Sequence, residues 1–125
     1  MGKRYLIDTN VLIEYIGGLL TEKLTVKVSN IIDKEFNISF VNKIEILGHA
    51  STQEMIVKFI DAANIYYVDN QIVEKTISIR KTKKIKLPDA LLAATAIIYG
   101  FTLLTRNVDD FVGIDDLKIE NPWSW

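Results

Sequence analysis

The sequence predicts an α/β fold with a central, mainly parallel sheet. Short apolar runs that end in turn residues alternate along the chain with longer amphipathic segments, which is the pattern of βαβ units. The chain has 125 residues, of which 49% are hydrophobic, and these values suit a globular domain with one core. No linker, repeat or low-complexity segment divides it. We therefore expect a single domain over residues 1–125.

The first strand is predicted at "RYLID", a short apolar run that ends in turn residues. A helix follows in "NVLIEYIGG" and ends at its glycine pair. The segment "LTVKVSNIIDK" spaces its apolar residues for a second helix, and "FNISF" alternates as a strand does. The chain therefore opens with a strand, two helices and a second strand.

The middle of the chain is predicted to contain two further helices, "VNKIEILGHA" and "STQEMIVKFIDAA". Ser51 followed by Glu54 predicts a capping box at the start of the second of these helices. A third strand is expected at "NIYYV", because this run is short and rich in strand-forming residues.

The last third begins with the amphipathic helix "DNQIVEKTISIRKTKK", which starts at an Asp or Asn cap. An apolar helix is predicted over 88–99, with a glycine stop after it. The strand "TLLT" follows, and a last short strand is expected near "LKIEN".

Composition excludes several kinds of site. The absence of cysteine removes disulfides, thiolate chemistry and Cys-based zinc, and it fits a reducing cytoplasm. One histidine cannot supply a His-rich zinc site. The net charge of −1 provides no global field for nucleic acid, so any such binding needs a local patch of positive charge.

The N-terminal apolar stretch is too short for a signal peptide, and Pro88, Asp89 and Gly100 interrupt the one run that approaches membrane-spanning length. We expect a cytoplasmic protein with no membrane contact.

Four acidic residues occupy unusual places. Asp8 directly follows the first strand, Glu45 interrupts an apolar helix, and Asp89 opens the most apolar helix of the chain. Asp110 follows the "TLLT" strand, with Asn107 close by. Sites in parallel sheets form at the carboxyl ends of strands, near the point where the strand order reverses. If the first strand and "TLLT" are neighbours, these carboxyl groups converge on one rim.

Each of these residues also has a purely structural explanation. Asp8 can cap the helix that follows it. Asp89 after Pro88 suits the first turn of a helix, where the dipole favours an acid. Glu45 can point to solvent, and Asp110 can be an ordinary loop acid.

The conjunction of the four acids favours a cation site. Carboxylates within ~4–6 Å of one another repel and raise each other's pKa, and a cation relieves this. Oxygen ligands without Cys and with too few His select a hard ion, Mg²⁺ or Mn²⁺. Such an ion suits phosphoryl chemistry and needs no histidine base.

The segments "YLIDTNVLIEYI", "FVNKIEILGHA", "LPDALLAATAIIYGFTLLTRNVDDF" and "LKIENP" resemble the PIN domain. Within that family they look like the VapC-type toxins of bacterial and archaeal toxin–antitoxin pairs. The similarity covers the whole chain in the expected order. It implies a three-layer α/β/α sandwich and a metal-dependent endoribonuclease that hydrolyses RNA phosphodiester bonds.

The resemblance also assigns residues. It implies that Asp8, Glu45 and Asp89 carry the catalytic metal site, that Asp110 is its fourth member, and that Asn107 faces it as a further ligand. The middle motif, "SFVNKIE", departs from the Ser/Thr-rich approach to the glutamate that family members tend to show.

Substrate contacts are expected next to these acids. Thr9 and Thr105 hold a site water or orient a carboxylate, and Arg106 contacts a backbone phosphate. The basic segment 80–86 ("RKTKKIK") is either a solvated helix end or a phosphate-contacting rim, and the two are compatible. His49 falls four residues after Glu45, where it can share a helix face, although a bystander is the commoner case. The aromatic residues Trp123 and Trp125 can stack bases, although a C-terminal aromatic more often covers the core or a dimer surface.

The resemblance implies two protein partners, a second copy of the chain in a homodimer and a cognate antitoxin that crosses the active-site groove. Apolar residues of the early helices either supply that groove or are simply core. They are Leu12, Tyr15, Ile16, Leu19 and Leu20.

Three other classes remain open. A haloacid-dehalogenase-type phosphatase needs a second Asp two residues after the first, where this chain has Asn10. A receiver-type signalling domain needs an acidic pair near the first strand and a lysine after a late strand, for which Arg106 is a poor substitute. A PIN fold that binds RNA or a partner without cutting is the third.

Overall fold

Five short strands alternate with six α-helices in the part of the chain that the computed structural model describes, residues 2–125. The strands are β1 (Tyr5–Ile7), β2 (Asn37–Ser39), β3 (Asn64–Tyr66), β4 (Thr102–Leu104) and β5 (Lys118–Glu120). The helices are α1 (Thr9–Ile16), α2 (Glu22–Lys34), α3 (Phe40–Leu47), α4 (Glu54–Asp61), α5 (Asn70–Thr82) and α6 (Leu87–Tyr99). Two 3₁₀ turns lie at Val108–Asp110 and Pro122–Ser124. The order of elements is the predicted one.

The strands pair in parallel, as predicted. β4 lies between β1 and β5, and β2 pairs with β3. β2 lies beside β1, where the buried Asn37 side chain donates from Nδ2 to the Tyr5 carbonyl at 3.1 Å. β1, β4 and β5 thus form one hydrogen-bonded sheet and β2 and β3 a second, and because β2 lies beside β1 the order across the two is β3-β2-β1-β4-β5. The direction of progression reverses between β1 and β4, which is the position where parallel sheets place their sites.

Helices cover both faces of the sheet, because successive strand residues point to opposite sides. Leu6 of β1 and Leu103 of β4 pack against α5 and α6, whereas Ile7 and Leu104 pack against apolar residues of α1 to α4. All four leucine and isoleucine side chains are fully buried. The predicted three-layer α/β/α sandwich is therefore confirmed.

The start of α4 differs from the prediction. This helix begins at Glu54, after Gln53 as the N-cap residue, and it has no side-chain cap. The amide and the hydroxyl of Thr52 both donate to the His49 carbonyl, so the chain turns before the helix and Ser51 is exposed. The predicted capping box of Ser51 with Glu54 is therefore wrong.

A capping box occurs instead at the start of α3, between Ser39 and Asn42. The Ser39 side chain accepts from the first turn of the helix, and the Asn42 side chain accepts from the Ser39 amide at 2.8 Å. Asn42 is thereby held at the beginning of the helix that carries Glu45.

The long apolar run near residue 90 is divided as predicted. Gly100, with φ of 72°, ends α6 in the left-handed conformation that glycine adopts without strain, and β4 follows. Within residues 2–125, no helix combines the length and the apolar character needed to cross a membrane.

Candidate metal centre and active site

Asp8 lies at the carboxyl end of β1 and is 8% exposed. Its backbone amide donates to the Leu104 carbonyl at 2.9 Å, which extends the pairing of β1 with β4 to the rim of the sheet. Its carboxylate accepts four hydrogen bonds. Oδ1 accepts from the Thr9 amide (2.7 Å) and Asn42 Nδ2 (3.3 Å), and Oδ2 accepts from Thr105 Oγ1 (2.8 Å) and Asn10 Nδ2 (3.3 Å). The bond from the Thr9 amide is the predicted helix cap, and the other three come from side chains of Asn42, Thr105 and Asn10.

Burial raises the pKa of Asp8 above its ordinary value. The hydrogen bonds from Thr105 and Thr9 oppose this, and the negative charges of Glu45 and Asp89 raise the pKa further. Among the described residues, Asp8 forms no salt bridge with a cationic side chain. Neutral donors alone therefore compensate its charge.

The other three predicted acids lie in the same neighbourhood. Glu45 projects from α3 and accepts a hydrogen bond from Thr9 Oγ1 at 2.7 Å. Asp89 lies in the first turn of α6, where burial and then the charges of Asp110 and Glu45 raise its pKa, against a smaller lowering by Lys86. Asp110 ends the 3₁₀ turn that follows β4. Glu45 therefore lies near enough to raise the pKa of both Asp8 and Asp89, and Asp110 lies near enough to raise the pKa of Asp89.

These acids do not form a closed coordination sphere. Between residues 2 and 125, no three His, Cys, Asp or Glu side chains lie close enough together to hold an ion in their present positions. The donor set nevertheless fits a hard divalent cation, because it consists of carboxylate oxygens that no salt bridge in this part of the chain neutralises. Carboxylates repel one another, so a closer approach requires a cation between them.

Thr105 lies behind Asp8. Its side chain is fully buried, and its hydroxyl accepts from the Asn107 amide (3.1 Å) and from Asn10 Nδ2 (3.2 Å). With both of these donors in place, its own proton points to Asp8. This geometry is that of a group that orients a carboxylate, and it leaves Thr105 no surface for a substrate.

Arg106 is held in place by two other side chains. Its Nη2 lies 2.7 Å from Glu14 Oε2, and its Cζ lies 3.8 Å from the centroid of the Trp123 ring. The contact with Glu14 is an ion pair without hydrogen-bond alignment, because this Oε2 has no hydrogen-bond partner among the described residues. Arg106 is 46% exposed and borders a cavity of about 390 Å³ that Asn107 and Asp110 also line.

The basic segment 80–86 leads directly to Asp89. It comprises the last turn of α5, the Lys83 cap and Lys86, which is the N-cap residue of α6. None of its cations forms a salt bridge within the described part of the chain. Its positive charge is therefore available at the edge of the acidic rim.

The structure bears on two alternatives that the sequence left open for nearby residues. Helix α3 ends at Leu47, so His49 lies beyond it and does not share a helix face with Glu45. The apolar residues of the early helices are largely core. Leu12 is fully buried and Leu20 is buried, whereas Leu19 is 70% exposed.

Sequence reasoning did not identify Asn10 and Asn42 as neighbours of the acids. Asn42 is fully buried and donates to both Asp8 and Thr9, and Asn10 donates to Asp8 and Thr105. One signal was present in the sequence, because Asn42 precedes Glu45 by three residues, and helix positions three apart share a face.

The chain is an α/β/α sandwich with an acidic rim at the switch point of a parallel sheet. The model of the PIN domain family matches residues 5–117, and the chain belongs to this family. The resemblance of the sequence to the PIN domain is thereby confirmed.

Solved structures share this fold over nearly the whole chain. A toxin–antitoxin complex from Klebsiella pneumoniae contains a chain that is 27% identical, with a TM-score of 0.76 over 94% of this chain and 97% of that one. VapBC-1 from nontypeable Haemophilus influenzae gives 23% identity and a TM-score of 0.77, covering 95% of this chain and 98% of that one. DNA-bound VapBC from Salmonella typhimurium gives 20% identity and a TM-score of 0.78, covering 97% of this chain and 99% of that one. A search of curated proteins returned no match.

Proposed function

We propose that the protein is a Mg²⁺- or Mn²⁺-dependent endoribonuclease and the toxin of a type II toxin–antitoxin pair. The observation that carries this proposal is the position of Asp8 at the switch point of the sheet, with Glu45 hydrogen-bonded to the neighbouring Thr9 and with Asp89 near enough to raise the pKa of Asp8. Asp110 in turn lies near enough to raise the pKa of Asp89. Membership of the PIN domain family and the likeness to toxin–antitoxin complexes support it.

The residues divide into ligands and supports. Asp8, Glu45, Asp89 and Asp110 would hold the ion, with Asn107 at the edge of the group. When bound, the ion supplies positive charge against the negative charge that develops on the scissile phosphate. Thr105 keeps Asp8 oriented, and Thr9 does the same for Glu45 through its 2.7 Å hydrogen bond.

RNA binding needs local positive charge, because the net charge of −1 attracts no polyanion and the acidic rim repels phosphate. The basic segment 80–86 provides it without ion pairing in the described part of the chain, and Arg106 adds to it as a half-exposed cation that is paired with Glu14. Lys86, the last cation of this segment, is close enough to Asp89 to lower the pKa of that carboxyl, so the end of the segment lies beside the proposed metal site.

We further propose an antitoxin partner, because the similar solved structures include toxin–antitoxin complexes. A homodimer and a cytoplasmic location, where an RNA substrate is available, belong to the same proposal. The exposed Leu19 is the one member of the predicted apolar groove that is open to a partner at 70% exposure.

One observation favours a second candidate function. Because no three acidic side chains within residues 2–125 are placed to hold an ion, a PIN domain that binds RNA or a protein without cutting is the alternative. Metal binding and RNA cleavage distinguish the two candidates.

The test compares the purified protein with Asp8→Asn and Asp89→Asn on labelled RNA, in Mg²⁺, in Mn²⁺ and in excess chelator. Asp33→Asn, an exposed acid on α2, is the control. We expect cleavage by the parent and the control only, and only with metal. Equal cleavage by all variants, or cleavage that survives chelation, would contradict the proposal. RNA binding without cleavage by the parent would favour the alternative.

A further inference from the structure

The hydroxyl of Thr9 has a fixed hydrogen-bond direction. It lies 3.0 Å from Asn42 Nδ2 and 2.7 Å from Glu45 Oε1. An amide nitrogen only donates and a carboxylate only accepts, so the hydroxyl accepts from Asn42 and gives its single proton to Glu45. Thr9 therefore transmits the position of Asn42 to the Glu45 carboxylate.

The Asn42 side chain uses both of its N–H donors and its oxygen for hydrogen bonds in this neighbourhood. Its Oδ1 accepts from the Ser39 amide at 2.8 Å, and its two N–H groups are directed to Asp8 Oδ1 at 3.3 Å and to Thr9 Oγ1. The opposite amide orientation would place the oxygen against the Asp8 carboxylate and the nitrogen against an N–H group. The side chain is also fully buried, so its position is determined by these partners.

We propose that Asn42 is a positioning residue that sets the spacing of the Asp8 and Glu45 carboxylates and thereby the affinity for a divalent cation. This inference rests on the proposed function. Asp8 lies at the end of β1 and Glu45 lies on α3. The Asn42 amide connects the two carboxylates, because it donates directly to Asp8 and it donates to Thr9, which in turn donates to Glu45. Asn42 is not assigned as a ligand, because its nitrogen faces Asp8 and Thr9 whereas its oxygen faces the Ser39 amide.

The chemistry of the position explains why an asparagine is needed there. A serine or threonine hydroxyl has one proton and cannot donate to both Asp8 and Thr9. An aspartate would provide no donor and would add a negative charge beside acids that already repel one another. The departure from a Ser/Thr-rich motif at this point is thus an alternative means of holding both carboxylates.

The experiment measures Mn²⁺ affinity by titration calorimetry and electron paramagnetic resonance, with no RNA present. We expect Asn42→Ser to weaken binding about 10- to 100-fold, the usual effect of removing a partner that orients a metal ligand. Asn37→Ser is the matched control, since Asn37 is also fully buried and hydrogen-bonded but lies inside the sheet.

Thermal unfolding separates positioning from folding. Both serine variants should lose stability, whereas only Asn42→Ser should lose metal affinity. Equal Mn²⁺ affinity in Asn42→Ser and the parent, or equal weakening in Asn37→Ser, would overturn the inference while leaving the proposed metal site intact. A parent protein that binds no Mn²⁺ would overturn both.

A second variant tests the path through Thr9. Thr9→Val removes the hydroxyl and should also weaken Mn²⁺ binding, and Thr9→Ser should restore it. Because Asn42 acts on Glu45 only through Thr9, the combined Asn42→Ser and Thr9→Val variant should be weaker by less than the product of the two single effects. If the loss of Mn²⁺ affinity in the double variant equals the product of the two single losses, Asn42 and Thr9 act independently, and the proposed path is contradicted.

Discussion

The guanidinium group of Arg106 stacks on the indole ring of Trp123, 3.8 Å from its centroid. The Glu14 carboxylate holds the same guanidinium at 2.7 Å. A cation that was expected to reach for phosphate is therefore already positioned beside the acidic rim. A side chain that is ordered before binding loses less conformational entropy when RNA arrives.

Removing the ring should therefore weaken RNA binding more than it slows cleavage. A cation–π contact at a partly exposed site is worth about 0.5–1 kcal/mol, so Trp123→Ala should raise KM for RNA about two- to fivefold with little change in kcat. Steady-state cleavage of labelled RNA measures both constants. Trp125→Ala is the control, because Trp125 lies under Lys27 at 5.4 Å instead of under Arg106. An equal rise in KM for the two variants would count against the role of Arg106.

Asp110 and its neighbour Asp109 share one 3₁₀ turn, but only Asp110 is among the charges that raise the pKa of Asp89. Removing a group that merely orients a metal ligand lowers metal affinity or activity about 10- to 100-fold, so removing a ligand should lower them at least as much. Asp110→Asn should accordingly reduce kcat/KM for RNA by about 100-fold or more at saturating Mg²⁺. Asp109→Asn should change it at most a few-fold. Similar losses in both would remove Asp110 from the proposed ligand set.

The raised pKa of Asp89 predicts a pH-dependent stability difference. Burial and neighbouring negative charges disfavour its ionised form in the folded protein. The loss of stability that ionised Asp89 causes is absent below the unfolded-state pKa of about 3.9 and fully present above the higher folded-state pKa. In chelator at pH 7, Asp89→Asn should therefore unfold about 1–3 °C above the parent, a small gain because the site is partly open to water. The difference should shrink as the pH falls toward about 4.

Circular dichroism melts between pH 4 and pH 7 measure this difference. Saturating Mg²⁺ should reverse the order, because it stabilises a parent that binds it and not a variant that has lost a ligand. If the difference in melting temperature between Asp89→Asn and the parent grows as the pH falls, the Asp89 charge does not oppose folding.

Thr105 is predicted to support both stability and activity. Thr105→Val keeps the volume but leaves the Asn107 amide and Asn10 Nδ2 facing a methyl group, which should cost about 1–3 kcal/mol of unfolding free energy. It also removes the 2.8 Å hydrogen bond to Asp8, so kcat/KM for RNA should fall about 10- to 100-fold. Denaturant unfolding and cleavage assays measure the two effects.

Thr95→Val is the matched control for this substitution. Thr95 is equally buried, but its hydroxyl donates to the Leu91 carbonyl within α6, a bond that helices do not need. This variant should remain close to the parent in both assays, and Thr105→Ser should recover most of the lost activity. Failure of the serine to recover it would point to packing as the cause.

The acidic residues could be predicted from sequence because their places are local. Asp8 follows an apolar strand, and Asp89 follows a proline at a helix start, so a short window reveals both. Their convergence depends on the parallel pairing of β1 with β4, which the alternation of strands and helices favours.

The supports behind the acids could not be predicted in the same way. Whether Asn42 is buried depends on which elements pack over the start of α3, and nothing in its own helix specifies that. The stacking of Trp123 on Arg106 likewise depends on the path of the C-terminal segment beyond β5. At Ser51 the local signal was present but was overridden by the turn that Thr52 makes with His49.

The hydrogen bond between Thr105 and Asp8 joins residues that are 97 positions apart. During synthesis, β1 is made near the start, whereas β4, Thr105 and Asp110 are made near the end. A nascent chain therefore has Asp8 long before it has the strand and the hydroxyl that hold it. The rim of the sheet can therefore assemble only after β4 and Thr105 have been synthesised and have paired with β1 and Asp8. A partly synthesised chain therefore lacks the hydrogen bonds from Thr105 and the neighbouring strand that fix the Asp8 carboxylate.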